Sequence, residues 1–433
     1  MNLKLLFLSL ICAATLQAQS FKGLGSSNYA GIHGAIYNPA QIAASPYTFD
    51  FNLVSVYATA GSDYFGIDLG SITDQSEGFD FEDASKQFPK DDNNFFLNTD
   101  VVGPSFMFNL SPKSSIGIIT RARGMFNLNN ISGELYEDIS DNFDEDEDFE
   151  ANSENFSGTV HAWAEIGLTY GYVVSKSDNH ALKVGATVKY LQGAGSLFLA
   201  SDSIDAVHDA SETSLTSTGD LSYGTTVDFD NDDISFDNLT SGFGLDIGFV
   251  YESKKDSLST DKGWKIGVSI NDIGNINYKD TETTVYNLNQ TVDTAIFDDE
   301  DLEQVLEDNY DGQTSVGATK VGLPTSAHIF ADYNIHKRLY IGLESSISLV
   351  NRDKTNANRI YSYATLNPRL EMKWLAVYSP ITVQQYTGLS WGAGVKLGPL
   401  TIGSGSILTN LLSDSSKATD VYVGLKVPFF KRS

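Results

Sequence analysis

The sequence predicts an all-β protein: a transmembrane antiparallel β-barrel of about fourteen strands with a short N-terminal hatch or plug. Three observations carry that expectation. Apolar and polar residues alternate with period two along most of the chain, as half-buried strands do. Tight turns alternate with long polar connections, the rhythm of periplasmic turns and outer loops in membrane barrels. Beyond residue 18 no apolar run reaches the length of a membrane-spanning helix, so a membrane form of this chain has to be a closed barrel.

The elements follow in order. Lys4, the apolar run "LLFLSLICAA" and Leu16-Gln17-Ala18 read as a secretory signal peptide over 1–18. Cys12, the only cysteine, lies inside it, so the mature chain is expected to hold no disulfide and no thiolate metal site. Residues 19–46 read as the plug. In "IYNPAQIAAS" (36–45), Asn38 suits a helix N-cap and Pro39 the first helical position. Ala40, Gln41, Ile42 and the two alanines after them make about one turn. A turn that short does not hold itself together in water. It needs a body to dock on, and the inner wall of a barrel over 47–430 supplies one.

Strands are expected from Tyr47 onward. Tyr47, Phe49, Phe51, Leu53 and Tyr57 share one face of 47–58. Ile116, Ile118, Ala122, Phe126 and Leu128 share one face of 115–128, opposite Arg121 and Arg123. Residues 159–174 set Val160, Ile166, Leu168 and Tyr170 against His161, Trp163 and Glu165. Further strands are expected at 182–190, 243–251, 264–271, 325–335, 339–350, 369–378, 389–397 and 421–429. "SPKS" (111–114), "SKSDN" (175–179) and "HK" (336–337) are the tight turns. The long polar connections are roughly 72–98, 130–156, 200–240 and 274–323. One amphipathic helix is expected at 298–310, where Leu302, Val305, Leu306 and Tyr310 recur at helical spacing.

A soluble sandwich also alternates, so the polar face decides. It carries Arg121, Arg123, His161, Glu165, Lys183, Lys189, Asp246, Lys265, Asp332, Glu344, Arg369, Glu371 and Lys373, with Asp50, Lys396 and Lys426 in the same class. Glycines such as Gly117, Gly185, Gly244, Gly267, Gly342 and Gly424 fill further positions on it, and glycine in a strand marks bending or close approach. Charged groups and glycines do not make a hydrocarbon core. They fit a lumen that is wet or filled by a polar plug. Aromatics on the other face (Tyr57, Tyr170, Tyr172, Tyr190, Trp264, Trp374 and Trp391) fit a lipid-facing band with interfacial girdles.

The "NPA" at 38–40 behind a Gly/Ser-rich exported N-terminus resembles the N-terminal region of FadL-type outer-membrane barrels. "WKIGVSINDIGNINYKD" (264–280) and "LPTSAHIFADYNIHKRLYIGLE" (323–344) resemble paired strands of that superfamily. "WGAGVKLGPLTIGSGSILTNLL" (391–412), followed by "DVYVGLKVPFFKR", is similar to a Bacteroidetes outer-membrane barrel group of unknown function. That group is distantly similar to the PorV, PorP and SprF proteins of type IX secretion. The resemblance implies fourteen strands, a hatch in the lumen and residence in the cell outer membrane.

The net charge of −28 excludes nucleic acid as a natural partner. No nucleophile with a base, no phosphate loop and no zinc spacing is present, so no enzyme activity and no cofactor is expected. Arg121 and Arg123 read as a lumen ion-pair ladder with Glu165, with an anionic ligand as the alternative. His161 and Glu165 read as structural, with a proton or metal pair as the alternative. The acidic segments 137–150 and 228–233 lack calcium-loop spacing and read as solvated. Two functions remain. One is a FadL-like conduit for a small hydrophobic or amphipathic molecule. The other is a structural or secretion-associated barrel that holds protein partners through its outer loops. Outer-membrane lipid surrounds either.

Overall fold

The computed structural model describes residues 23–68, 85–140, 143, 148–226, 240–254, 262–299, 302–351 and 354–431. The signal-peptide segment, residues 19–22 of the plug and the acidic run 228–233 lie outside these residues. Within them, fourteen antiparallel strands close into one barrel. They are β1 (Tyr47–Ser62), β2 (Asn93–Val102 and Ser105–Asn109), β3 (Ser114–Ile131), β4 (Phe149–Lys176) and β5 (His180–Asp209). Next come β6 (Ser214–Thr225 and Thr240–Lys254), β7 (Lys262–Asn287, extended by Gln290–Asp293), β8 (Asp311–Gly322 and Ser326–His336), β9 (Leu339–Ser348) and β10 (Tyr363–Glu371). The last are β11 (Leu375–Tyr378 and Ile381–Gln384), β12 (Gly388–Trp391 and Ala393–Leu397), β13 (Leu400–Ser404) and β14 (Ala418–Phe430). β14 returns to β1, pairing Gly424 with Ser55 and Thr419 with Ala60.

Closure leaves no sheet edge in the bilayer, which is why only a barrel can cross with strands. The outer surface confirms the solvent. Ile166 and Val188 are 57% exposed, Phe249 54% and Val383 58%. They belong to a continuous belt with Leu168, Ile266, Val268, Leu366 and Val423, an area of apolar surface that water does not tolerate on a monomer. Between belt residues the inward positions are buried and polar, as along β4, where His161, Glu165 and Thr169 alternate with exposed neighbours.

The barrel is far taller on one side. β4 has 28 residues and β5 has 30, against the roughly 9–11 that a membrane strand needs. At about 3.3 Å per residue both run well beyond the hydrocarbon. Much of the sequence expected as long loops at 130–156, 200–240 and 274–323 is therefore strand. Those stretches are rich in Ser and Thr and wet on their outer face, so they lack the apolar stripe that marks strands inside the bilayer. Their inner faces, together with Tyr64 and Phe95, build a separate core in which Tyr136, Phe156, Leu221 and Tyr286 are buried. Two helices complete this headpiece, α2 (Gly133–Ser140) and α4 (Leu302–Asn309), with a single turn α3 (Ile296–Asp299) before α4. The helix expected at 298–310 is thus shorter, and it docks Val305 and Leu306 into that core.

Two further expectations change. Tyr57 faces the lumen, only 1% exposed, instead of lipid. The pairing of β1 with β14 slips between Asn52 and Val54. Leu53 and Val54 are both exposed, and this bulge inverts the alternation above it. The strand expected at 369–378 is two strands, β10 and β11, with residues 372–374 as the turn between them.

Candidate functional site

The N-terminal segment lies inside the barrel. A helix absent from the sequence reading, α1 (Ile32–Tyr37), precedes the expected turn, and Gly31 enters it at φ 61, a conformation that suits glycine. The turn itself is a 3₁₀ element, Pro39–Ile42. Asn38 caps it as anticipated, its Oδ1 accepting from Ala40 N at 3.0 Å. The Asn38 amide also donates to the wall, to Phe249 O at 3.2 Å and Val268 O at 3.0 Å. Pro39, Ala40 and Ile42 are buried. The wall glycines explain the fit. A Cβ on Gly185 would strike the Pro39–Ala40 peptide, one on Gly248 would strike Asn38, and one on Gly171 would strike Ile42.

Wall charges hold the rest of the plug by its backbone. Asp50 Oδ2 accepts from Ile32 N at 2.9 Å. Glu344 Oε1 accepts from Ser26 N and Oγ at 3.0 and 2.7 Å, and Glu371 Oε1 accepts from Asn28 N at 2.8 Å. Ammonium groups take the carbonyls. Lys426 Nζ donates to Ala30 O at 2.6 Å, and Lys265 Nζ donates to Ser26 O at 3.1 Å and to Gln41 Oε1 at 2.6 Å. A short irregular segment buried in a lumen has few backbone partners of its own, so the wall supplies them. Charged partners make these bonds stronger than neutral ones.

Above the plug runs an ionic network. Arg121 pairs with Asp100 and, at 2.9 Å, with Glu165. Arg123 lies 2.9 Å from Asp272 and 3.8 Å from Glu165, with its guanidinium 4.7 Å above the Trp163 ring. Lys189 reaches Asp272 at 2.6 Å and Asp246 at 2.9 Å. On the opposite wall Arg369 meets Asp332 through two nitrogens, at 2.6 and 2.7 Å, and Glu371 at 2.6 Å. Lys183 pairs with Glu252 at 2.8 Å.

Arg121 and Arg123 thus both face Glu165, at 2.9 and 3.8 Å. His161 bonds Tyr278 OH through Nε2 at 3.1 Å, while Glu165 faces the arginines, so the two do not form a pair of their own. Lys373 is the residue the structure places elsewhere. It is exposed in the β10–β11 turn, its Nζ 4.3 Å above the Phe430 ring, because the strand assumed to carry it ends at Glu371.

Three charged partners escaped the sequence reading, Glu252 among them. Asp100 sits on β2, which has no clean alternation to reveal it. Asp272 follows the inward Asn271, so strict alternation would send it outward. It adopts φ 59 at a bulge where the β6–β7 register slips, and both residues turn inward. The only sign in the sequence is the Asn-Asp pair two residues before Gly274.

Beside Tyr37 the plug and the network meet with little space between them. A cavity beside Tyr37, bordered by Arg121, Arg123, Asp272 and His328, measures about 30 Å³. That is room for water, against the roughly 300–1,000 Å³ of ligand pockets. The wall has a seam beside the plug. β1 and β2 pair Ser55 with Val102 and Asn52 with Ser105, leaving Leu53–Val54 opposite Gly103–Pro104 without pairing. The Asn52 amide bridges the gap, donating to Val102 O at 3.0 Å and Gly103 O at 2.9 Å. The plug's His33 Nε2 lies 2.9 Å from Asn52 Oδ1 and 3.0 Å from Ser55 Oγ. Among the described residues no cluster of three or more His, Cys, Asp or Glu is arranged to hold a metal ion.

A closed barrel with an apolar outer belt and an N-terminal plug inside a charged lumen is an outer-membrane β-barrel protein. This chain belongs to the family described as "Family of unknown function (DUF5723)", which residues 39–405 match. A comparison with curated proteins gives no match. Among solved structures it is similar to a Pseudomonas aeruginosa FadL homologue, at 12% identity over 95% of this chain and 98% of that one, with a TM-score of 0.46. It is also similar to the toluene transporter TodX of P. putida, at 9% identity over 93% and 95% with a TM-score of 0.46. The toluene transporter TbuX of Ralstonia pickettii shows 9% identity over 92% and 94% with a TM-score of 0.45. These likenesses concern the fold alone.

Proposed function

We propose that the protein is a gated conduit of the outer membrane for a small hydrophobic or amphipathic molecule, with the segment 23–46 as its gate. The observation that carries this reading is the seam. At Leu53–Val54 and Gly103–Pro104 the wall lacks backbone pairing, and the side chain that bridges it, Asn52, is held from inside by His33 of the plug. Moving the plug removes that hold and frees space beside an unpaired stretch of wall that faces lipid. An apolar solute would leave sideways there without crossing the charged lumen. Pro104 has no N–H, so the gap cannot be closed by a ladder bond at that residue.

The test is uptake of a fluorescent long-chain fatty acid and of a fluorescent monoaromatic compound into liposomes carrying the protein. Asn52→Ala and His33→Ala are expected to raise the uptake rate severalfold, and a disulfide between plug and wall to abolish it. Equal rates in empty and protein-bearing liposomes, with every variant, would refute the conduit.

The headpiece favours a second reading. Its outer strands enclose a packed core of their own, so it is a folded surface above the membrane, suited to holding a protein partner in surface assembly or type IX secretion. Crosslinking on intact cells that captures one partner, lost when α4 is deleted, would support it over transport.

A further inference from the structure

The end of the barrel that carries the short turns is ringed by basic residues, against the bias of a chain whose net charge is −28. Lys113 lies in the β2–β3 turn, Lys176 at the end of β4, Lys337 and Arg338 in the β8–β9 turn, Lys373 in the β10–β11 turn, and Lys431 directly after β14. All six are exposed, and none makes an ion pair within the described residues. Among the described residues the acids at this level are few: Asp178, which is exposed, and Glu252, already taken by Lys183 at 2.8 Å. Two of the cations crowd each other. Partial burial, and then the charge of Lys176, pushes the Lys431 ammonium below its ordinary range.

The level of this ring matters. Leu339, Trp374 and Phe429 are 43–53% exposed and end the apolar belt beside it. The Lys373 ammonium rests 4.3 Å over the Phe430 ring, at the border between hydrocarbon and water. Long basic side chains at that border keep their stems on apolar surface and extend their charge to the headgroups. The distribution matters as well. Cations on turns spread around the circumference meet a partner that surrounds the barrel, whereas a protein docked on one side meets a patch. A bilayer leaflet is such a partner, and its attraction for each nearby Lys or Arg requires anionic headgroups.

We propose that this ring binds the phosphate headgroups of anionic phospholipids in the periplasmic leaflet and thereby fixes the depth of the barrel. The test uses the full mature protein in bilayer discs of equimolar phosphatidylcholine and phosphatidylglycerol, re-extracted in mild detergent, with the retained lipid measured by mass spectrometry. Phosphatidylglycerol is expected to be enriched about fivefold, the ratio that one basic residue near an anionic surface supports. The variant K113Q/K176Q/K337Q/K373Q should bring the ratio close to the input, while K320Q/K354Q on the outer side leaves it enriched. Should the quadruple variant fail to fold, wild type re-extracted in 0.5 M NaCl gives the same reading, because screening releases surface charges. Equal retention of the two lipids, enrichment that survives the substitutions or the salt, or its loss to millimolar inorganic phosphate would overturn the proposal. So would retention of an acidic soluble protein by the ring in place of lipid.

Discussion

Substituting Asp50→Asn tests whether wall charges hold the plug. The Asp50 side chain is fully buried, and its Oδ2 accepts from Ile32 N at 2.9 Å and lies 3.2 Å from Lys426 Nζ. Asparagine keeps the volume and removes the charge. Lys426 then loses its buried carboxylate partner and keeps neutral ones, among them the Ala30 and Tyr29 carbonyls at 2.6 and 3.2 Å. Removing one member of a buried ion pair costs about 3–5 kcal/mol, mostly from the stranded charge. The Ile32 bond falls from charge-assisted to neutral strength, about another 1 kcal/mol. Part of this is relieved if the plug leaves and Lys426 gains water. The assay is thiol labelling of an Ala35→Cys variant, at a buried position on α1, in a chain expressed from residue 19 and so without Cys12, the only other cysteine. At about 1.4 kcal/mol per tenfold, Asp50→Asn should speed labelling by about a hundredfold or more, with the heat-induced mobility shift of the barrel retained. Adding Lys426→Met removes the stranded charge and should return the rate to within about tenfold of the parent. If Asp50→Asn labels at the parent rate, or the double variant labels as fast as the single one, the wall charges do not hold the plug.

Three other outcomes follow from the same geometry. Gly185→Val places atoms in the Pro39–Ala40 peptide, an overpacking of about 1–3 kcal/mol, and should raise thiol labelling in the Ala35→Cys background roughly tenfold or more without unfolding the barrel. Arg369→Met strands the Asp332 and Glu371 carboxylates against each other in a site where Arg369 is 2% exposed; at about 3–5 kcal/mol it should lower the unfolding temperature clearly, and Asp332→Asn/Glu371→Gln beside it should recover part of the loss. Lys86→Ala breaks a 2.6 Å pair with Asp414 whose side chains are 54% and 73% exposed, and no measurable shift in unfolding temperature is expected, since solvent screens such pairs.

The barrel was legible because the bilayer imposes a strict rule on each strand inside it: one face meets lipid, the other the lumen. Arg121 and Arg123, two residues apart, could only share a face, and that face could only be the lumen. The plug was legible for a related reason. A capped turn that cannot stand alone has to find a wall, and glycines such as Gly185 and Gly117 are where a wall lets the plug come close. Its partners were not legible. Nothing near Asn38 in sequence points to Phe249 or Val268, because closure of the barrel alone decides which strands face the plug.

Tyr57 was misplaced and Asp272 overlooked for one cause, which bears on the function: counting in twos fails at a bulge, and Tyr57 lies past one while Asp272 sits at one. A bulge costs ladder bonds, and in lipid those bonds have no substitute in water. The chain keeps them where they bring a needed group inward or let the wall meet the plug. At β7 the slip turns Asp272 into the network, where it sits between Arg123 and Lys189. At β1 it brings Tyr57 into the lumen, stacked at 5.9 Å on Tyr422, and leaves the unpaired stretch that Asn52 and His33 span. Regularising the two defects should therefore have opposite consequences. Deleting Val54 together with Pro104, to remove the doubled outward positions from β1 and β2 in register, should keep Tyr57 in the lumen and let the two strands pair through the seam, leaving a stable barrel with no solute uptake. Deleting Asp272 should leave Arg123 without its nearest carboxylate, 2.9 Å away, and destabilise the barrel without opening it. Uptake that persists in the double deletion, with the barrel intact, would mean that the seam is not the exit.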